Sequence, residues 1–139
     1  MTRGSCLCGA VRFEILGPVQ RVTDCHCSMC RRAHGAAFAT FARVAASDLR
    51  LISGEDVIRG YRSSAQVERS FCGTCGSNFA FRWSGLPSAV LVAAGLIEDH
   101  PALRPAYHIF VGSKAAWHEI TDALPQYEAR APHAPADPD

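Results

Sequence analysis

Seven cysteines lie between residues 6 and 75 of this 139-residue chain, and none follows. They fall into three tight groups: Cys6 and Cys8; Cys25, Cys27 and Cys30; Cys72 and Cys75. A closed structural zinc site takes four protein ligands, whereas a catalytic zinc keeps three and leaves a position open. Seven divides into four plus three, which predicts two zinc ions with different jobs. A disulfide scaffold fits less well. An odd count leaves one thiol unpaired, and cysteines one or two residues apart rarely meet the Cα separation a disulfide demands. Met1 to Ser5 run straight into the first cysteines without the apolar stretch of an export signal. The expected compartment is therefore the reducing cytoplasm, where clustered thiols bind metal.

The rest of the composition excludes several classes. Apolar residues make up 48% and charged residues 19%, an ordinary globular balance. The net charge of +1 offers no broad basic face for nucleic acid. The longest apolar run, from Ala89 to Ile97 with Gly95 inside it, is too short to span a bilayer. One domain over residues 1–128 is expected. Residues 129–139, rich in Pro and Ala, are expected to form a disordered tail.

Short strands dominate the reading of the chain. Val11, Phe13 and Ile15 alternate with Arg12 and Glu14, the period of a half-buried strand. Residues 21–24 lead up a second strand to Cys25, and 27–34 predict a short helix stopped by Gly35. Further strands are expected at 37–44, 49–53, 57–61, 66–71, 78–83, 89–94 and 106–111. Many short strands with little helix predict a mainly β, sandwich-like domain.

Cys6 and Cys8 project to one face if the segment is extended. Cys72-Gly73-Thr74-Cys75 has the form of a zinc knuckle, with Gly73 letting the backbone curl. Together they supply four thiolates for a closed site. Cys25, Cys27 and Cys30 could converge on a second ion, and because no fourth protein ligand is evident this site is expected to be partly empty. His26 would point to the opposite face and act as a packing or supporting residue. Pairing Cys27/Cys30 with Cys72/Cys75 instead leaves 41 residues between knuckles and strands three cysteines. Arg31, just after the triad, could read a substrate carboxylate; Arg32 reads as solvated. His108 reads as a structural strand histidine, and Asp99, His100, Glu119 and Asp122 sit in no motif.

Taken in order, the blocks Gly4-Ser5-Cys6-Leu7-Cys8-Gly9, Cys25-His26-Cys27-Ser28-Met29-Cys30-Arg31 and Phe71-Cys72-Gly73-Thr74-Cys75-Gly76 resemble the glutathione-dependent formaldehyde-activating (GFA) enzymes. That family shares its domain with centromere protein V. Pro105 to Ile109 and Leu124 to Tyr127 fit its C-terminal pattern. The resemblance implies a β-tent fold, short antiparallel sheets in a sandwich stapled by zinc. It implies a structural zinc on Cys6, Cys8, Cys72 and Cys75 and a catalytic zinc on Cys25, Cys27 and Cys30. The implied activity is that of a carbon–sulfur lyase joining glutathione and formaldehyde, so the expected partners are a small thiol and an aldehyde. The alternative is a non-catalytic zinc-binding module, which a fourth protein ligand at the triad would favour. The sequence fixes no oligomeric state.

Overall fold

The alternating segments fold as strands because each has one apolar face to bury. The computed structural model describes residues 1–98, 100 and 102–132. Strands β1 (Thr2–Ser5), β2 (Arg12–Ile15) and β5 (Leu49–Ser53) form a three-stranded sheet in the order β1-β2-β5. The second sheet holds β3 (Arg21–Cys25), β4 (Ala39–Ala45), β6 (Ile58–Arg62), β7 (Val67–Cys72), β8 (Asn78–Trp83), β9 (Ala89–Ala93) and β10 (Tyr107–Ile109). Its order is β10-β3-β4-β9-β8-β7-β6. The α-helix α1 (Ser28–His34) follows β3 and ends at Gly35 in the left-handed conformation. The protein is mainly β, as expected.

Two features differ from the expectation of short antiparallel sheets. The larger sheet is seven strands wide, and β10 runs parallel to β3, with Ile109 opposite Cys25 and His108 opposite Asp24. A parallel pair cannot be closed by a hairpin and needs a long connection. Here the chain between the two strands builds the other members of the sheet. Strand β1 carries no alternation of its own; it exists through its pairing with β2, Thr2 opposite Ile15 and Gly4 opposite Phe13.

The two sheets meet over an apolar layer. Phe13 and Ile15 of β2 pack with Val44, Phe79, Val90 and Val92, and the Phe13 and Phe79 rings lie 5.1 Å apart. Strand β9 is buried along its whole length, which explains its unbroken apolar sequence. A second cluster gathers Phe41, Phe81, Leu91 and Ile109 around Cys25 and Cys30. Phe41 and Phe81 meet edge to face at 4.7 Å. The triad is thus anchored in packed core on its inner side.

The expected tail begins at Ala129. Its first residues pack on the domain: the Phe110 N–H donates to the Ala129 carbonyl, and Ala131 is only 3% exposed, in the cluster with Cys25 and Ile109. Residues 133–139 and Asp99 lie outside the described residues. No helix among the described residues is long and apolar enough to cross a membrane.

Candidate metal centres

Cys6, Cys8, Cys72 and Cys75 place their sulfurs within 4.8 Å of one another. The Cys6 and Cys8 sulfurs are 3.6 Å apart, and those of Cys8 and Cys72 3.9 Å. A tetrahedral ion with metal–sulfur bonds of about 2.3 Å needs sulfurs about 3.8 Å apart, so this donor set fits one. The first pair is not extended, contrary to expectation. Cys6 instead follows β1 into a turn, where the Gly9 N–H donates to the Cys6 carbonyl. Gly9 adopts φ 80°.

The second pair repeats this design. Cys72 ends β7, the Gly76 N–H donates to the Cys72 carbonyl at 2.8 Å, and Gly76 adopts φ 79°. Both conformations suit glycine because no Cβ obstructs them. The curl expected at Gly73 therefore sits at Gly76. Gly73 is needed for another reason: a Cβ there would lie 2.7 Å from the Val57 carbonyl oxygen, to which its N–H is bonded. Two groups hold the thiols as acceptors. The Val11 N–H donates to the Cys6 sulfur at 3.3 Å. The Ser77 hydroxyl, 3.2 Å from the Cys75 sulfur, is the main cause that lowers that thiol to about 5.

Cys25, Cys27 and Cys30 form the second group, their sulfurs again within 4.8 Å. Cys25 is the last residue of β3, Cys27 is the N-cap of α1, and Cys30 lies in the first turn of that helix. The Cys30 N–H donates to the Cys27 sulfur at 3.3 Å, so the cap that starts the helix also orients a ligand. Cys27 is drawn down to about 2, first by the Cys25 thiol as donor and then by that of Cys30. Cys25 is pushed up because its proton is shared with that neighbour. Three thiols this close cannot all ionise alone; a bound cation would let them. The donor set fits a soft, thiolate-preferring ion, and no fourth cysteine, histidine or carboxylate joins it among the described residues.

The triad also opens onto a cavity of about 220 Å³, with Cys25, Cys27 and Cys30 in its wall. Phe81, Trp83 and Phe110 give it an apolar surface, and Arg69 and Arg130 supply the charge. The Arg69 Nη2 donates to the Cys30 sulfur at 3.6 Å, and its Nε to the Ser63 hydroxyl at 3.1 Å. Arg31 is not in the wall of this cavity. It sits on α1, where its backbone N–H bonds the Cys27 carbonyl. The guanidinium beside the triad is Arg69. Strand alternation puts Arg69 on the face of Val67, and its register partner is Phe81, a pairing that no local pattern announces. A broader depression of about 680 Å³, lined by Arg21, His100, Arg104 and Tyr107 among others, holds no cysteine.

His26 faces away from the cysteines, as alternation requires, and is fully buried. Its Nε2 lies 2.8 Å from Nδ1 of His108, and His108 Nε2 donates to Asp122 at 3.0 Å. In the neutral forms His26 Nε2–H is the donor, and its Nδ1 has no partner among the described residues. Asp24, bonded by the Thr40 hydroxyl at 2.6 Å, stands 3.8 Å from His108. This chain of side chains braces the segment between two triad cysteines from behind. The parallel β3–β10 pairing brings His108 to it, and His108 in turn holds Asp122, which sits in no sequence motif.

Burial first, and then repulsion from His108 and His118, hold His26 down to about 4. The unfolded chain takes up a proton near pH 6.5 that the folded chain refuses until about pH 4. Stability from this group is full above pH 6.5 and is lost as pH falls through that window. A histidine NMR titration should show His26 neutral at pH 5; a midpoint near 6.5 would mean a solvated ring.

Residues 1–113 match the family model described as glutathione-dependent formaldehyde-activating enzyme. A Halomonas elongata protein with the provisional name of glutathione-dependent formaldehyde-activating enzyme is 29% identical, over 86% of this chain and 81% of its own. An uncharacterized lyase of Schizosaccharomyces pombe is 26% identical, over 68% of this chain and 67% of its own. A crystal structure of a Rhodobacter sphaeroides protein superposes with a TM-score of 0.61 at 30% identity, covering 72% of this chain and 91% of that one. This chain belongs to the glutathione-dependent formaldehyde-activating enzyme family.

Proposed function

We propose that the protein is a zinc-dependent carbon–sulfur lyase-type enzyme that forms or breaks a thiol–aldehyde adduct, with glutathione and formaldehyde as the pair suggested by its family. The observation that carries this reading is the contrast between the two cysteine groups. Four sulfurs complete one site, while three sulfurs line a cavity beside the other. In this reading Cys6, Cys8, Cys72 and Cys75 hold a structural zinc, and Cys25, Cys27 and Cys30 hold a catalytic one. When bound at the triad, zinc supplies the positive charge that keeps an external thiol deprotonated yet nucleophilic near pH 7.

The chain's own groups do the rest. Phe81, Trp83 and Phe110 give the thiol and the aldehyde an apolar wall to rest against beside the triad. Arg69, beside Cys30, offsets the excess negative charge of three thiolates around a dication. The thiol gives its proton to water, its sulfur forms a bond to the aldehyde carbon, the carbonyl π pair moves to oxygen, and that oxygen takes a proton back from water. Cleavage is the reverse.

The test is the rate of S-(hydroxymethyl)glutathione formation from glutathione and formaldehyde, followed by NMR exchange with and without zinc-replete protein. Acceleration proportional to protein concentration is expected. A rate equal to the uncatalysed background would overturn this substrate pair.

A further inference from the structure

Two guanidinium groups stand over one face of β8. Arg69 Cζ lies 5.3 Å from the Phe81 ring centroid, and Arg130 Cζ lies 5.3 Å from that of Trp83. Phe81 and Trp83 are two residues apart on one strand and so face the same way, about 7 Å from each other. Both arginines line the cavity, and among the described residues no Asp or Glu does. The two charges are not equivalent. Arg69 is committed to Cys30 and Ser63, and its charge is answered by the thiolate side of the triad. Arg130 is exposed, and no ion-pair or hydrogen-bond partner holds its guanidinium among the described residues. Its place over the Trp83 ring keeps that guanidinium at the cavity by cation–π attraction, where its N–H groups can serve a carboxylate.

Size narrows the ligand further. The cavity, about 220 Å³, falls below the roughly 300 Å³ at which pockets for drug-sized ligands begin. It can enclose a body the size of one amino acid or one benzene ring, but not a whole tripeptide. Its aromatic walls favour a flat apolar body.

We propose that this cavity binds a small carboxylate with a flat apolar body, and that Arg130 is the residue that selects for the carboxylate. The proposal rests on the reading of the triad as the active centre, and it names the class of molecule, or of substrate fragment, that sits beside it. Arg130 comes from beyond the residues matched to the family model and from the segment whose sequence predicts disorder. It reaches the cavity because Ala129 and Ala131 are anchored on the domain.

The experiment titrates zinc-replete full chain with 3-phenylpropionate and, separately, with 3-phenylpropionamide, by calorimetry and tryptophan fluorescence. The two probes share shape and differ in charge, and neither carries a thiol. The acid is expected to bind roughly tenfold tighter, the effect of one charge-assisted hydrogen bond. Arg130→Gln should reduce that ratio to near one, and Arg130→Glu should reverse it, with zinc content unchanged. Equal affinity for both probes, no saturable binding of the acid, or a ratio indifferent to Arg130 would overturn the proposal. Because the readout is binding, an Arg130-dependent preference without catalysed adduct formation would uphold the pocket and sink the proposed reaction. Catalysis without the preference would do the reverse.

Discussion

Cys72→Ser is expected to unfold the protein or lower its melting temperature by at least about 10–15 °C, with loss of the zinc proposed for the four-cysteine site. Cys72 is fully buried at the end of β7, in a small cluster with Cys6 and Val11. Its sulfur meets that of Cys8 across 64 residues of sequence. An ion shared between them closes that loop, and by the chain-entropy model such a cross-link is worth about 4 kcal/mol. Structural zinc in small domains contributes still more, about 10–16 kcal/mol, to chains whose total stability is about 5–15 kcal/mol. Serine is a poor zinc ligand, and its hydroxyl would be left in an apolar cluster at a further cost of about 1–3 kcal/mol. Circular dichroism melts and zinc per chain check this. A wild-type melt with wild-type zinc content would remove the structural role.

Much of this architecture is legible in the residues. Phe79 and Phe81 alternate with Ala80 and Arg82, and β8 lies there; the continuous apolar run at 89–94 becomes the fully buried β9. The four-plus-three grouping of cysteines also appears in space. What the sequence conceals is pairing at long range. Nothing local says that β10 lies parallel to β3, yet that pairing brings His108 to His26, and His108 in turn holds Asp122. Arg31 follows the triad in sequence, but Arg69, 39 residues beyond Cys30, reaches its sulfur because β7 pairs with β8. Local period also misleads at Cys6 and Cys8. Their spacing reads as one face of a strand, whereas the chain leaves β1 at Cys6 in a turn closed by the Gly9 N–H. The segment from Ala129 is rich in residues that resist regular structure, and the anchoring of Ala129 and Ala131 depends on single contacts, such as the Phe110 N–H on the Ala129 carbonyl, that composition cannot encode.

Cys27→Ser should separate the second site from the fold. Serine is among the best N-cap residues, so it can accept the Cys30 N–H in place of the Cys27 sulfur and keep α1 started. Cys27 is also only half-buried, unlike Cys25 and Cys30, so the substitution leaves no stranded hydroxyl in the core. The expected change in melting temperature is therefore a few degrees at most, corresponding to about 1 kcal/mol. At the proposed catalytic zinc the effect is large. Two thiolates remain where three were, metal affinity drops by orders of magnitude, and zinc per chain falls from two to one. Thiol–aldehyde adduct formation should then fall to the uncatalysed background, while Cys27→Ala loses the same zinc and about 1 kcal/mol more from the missing cap. If Cys27→Ser unfolds the chain as Cys72→Ser does, the second ion is structural as well, and the protein is a binding module. If the zinc goes and the rate stays, the chemistry lies outside the triad. Only loss of one zinc and of the rate together, in a chain that still melts normally, assigns the cavity beside Cys25, Cys27 and Cys30 to catalysis.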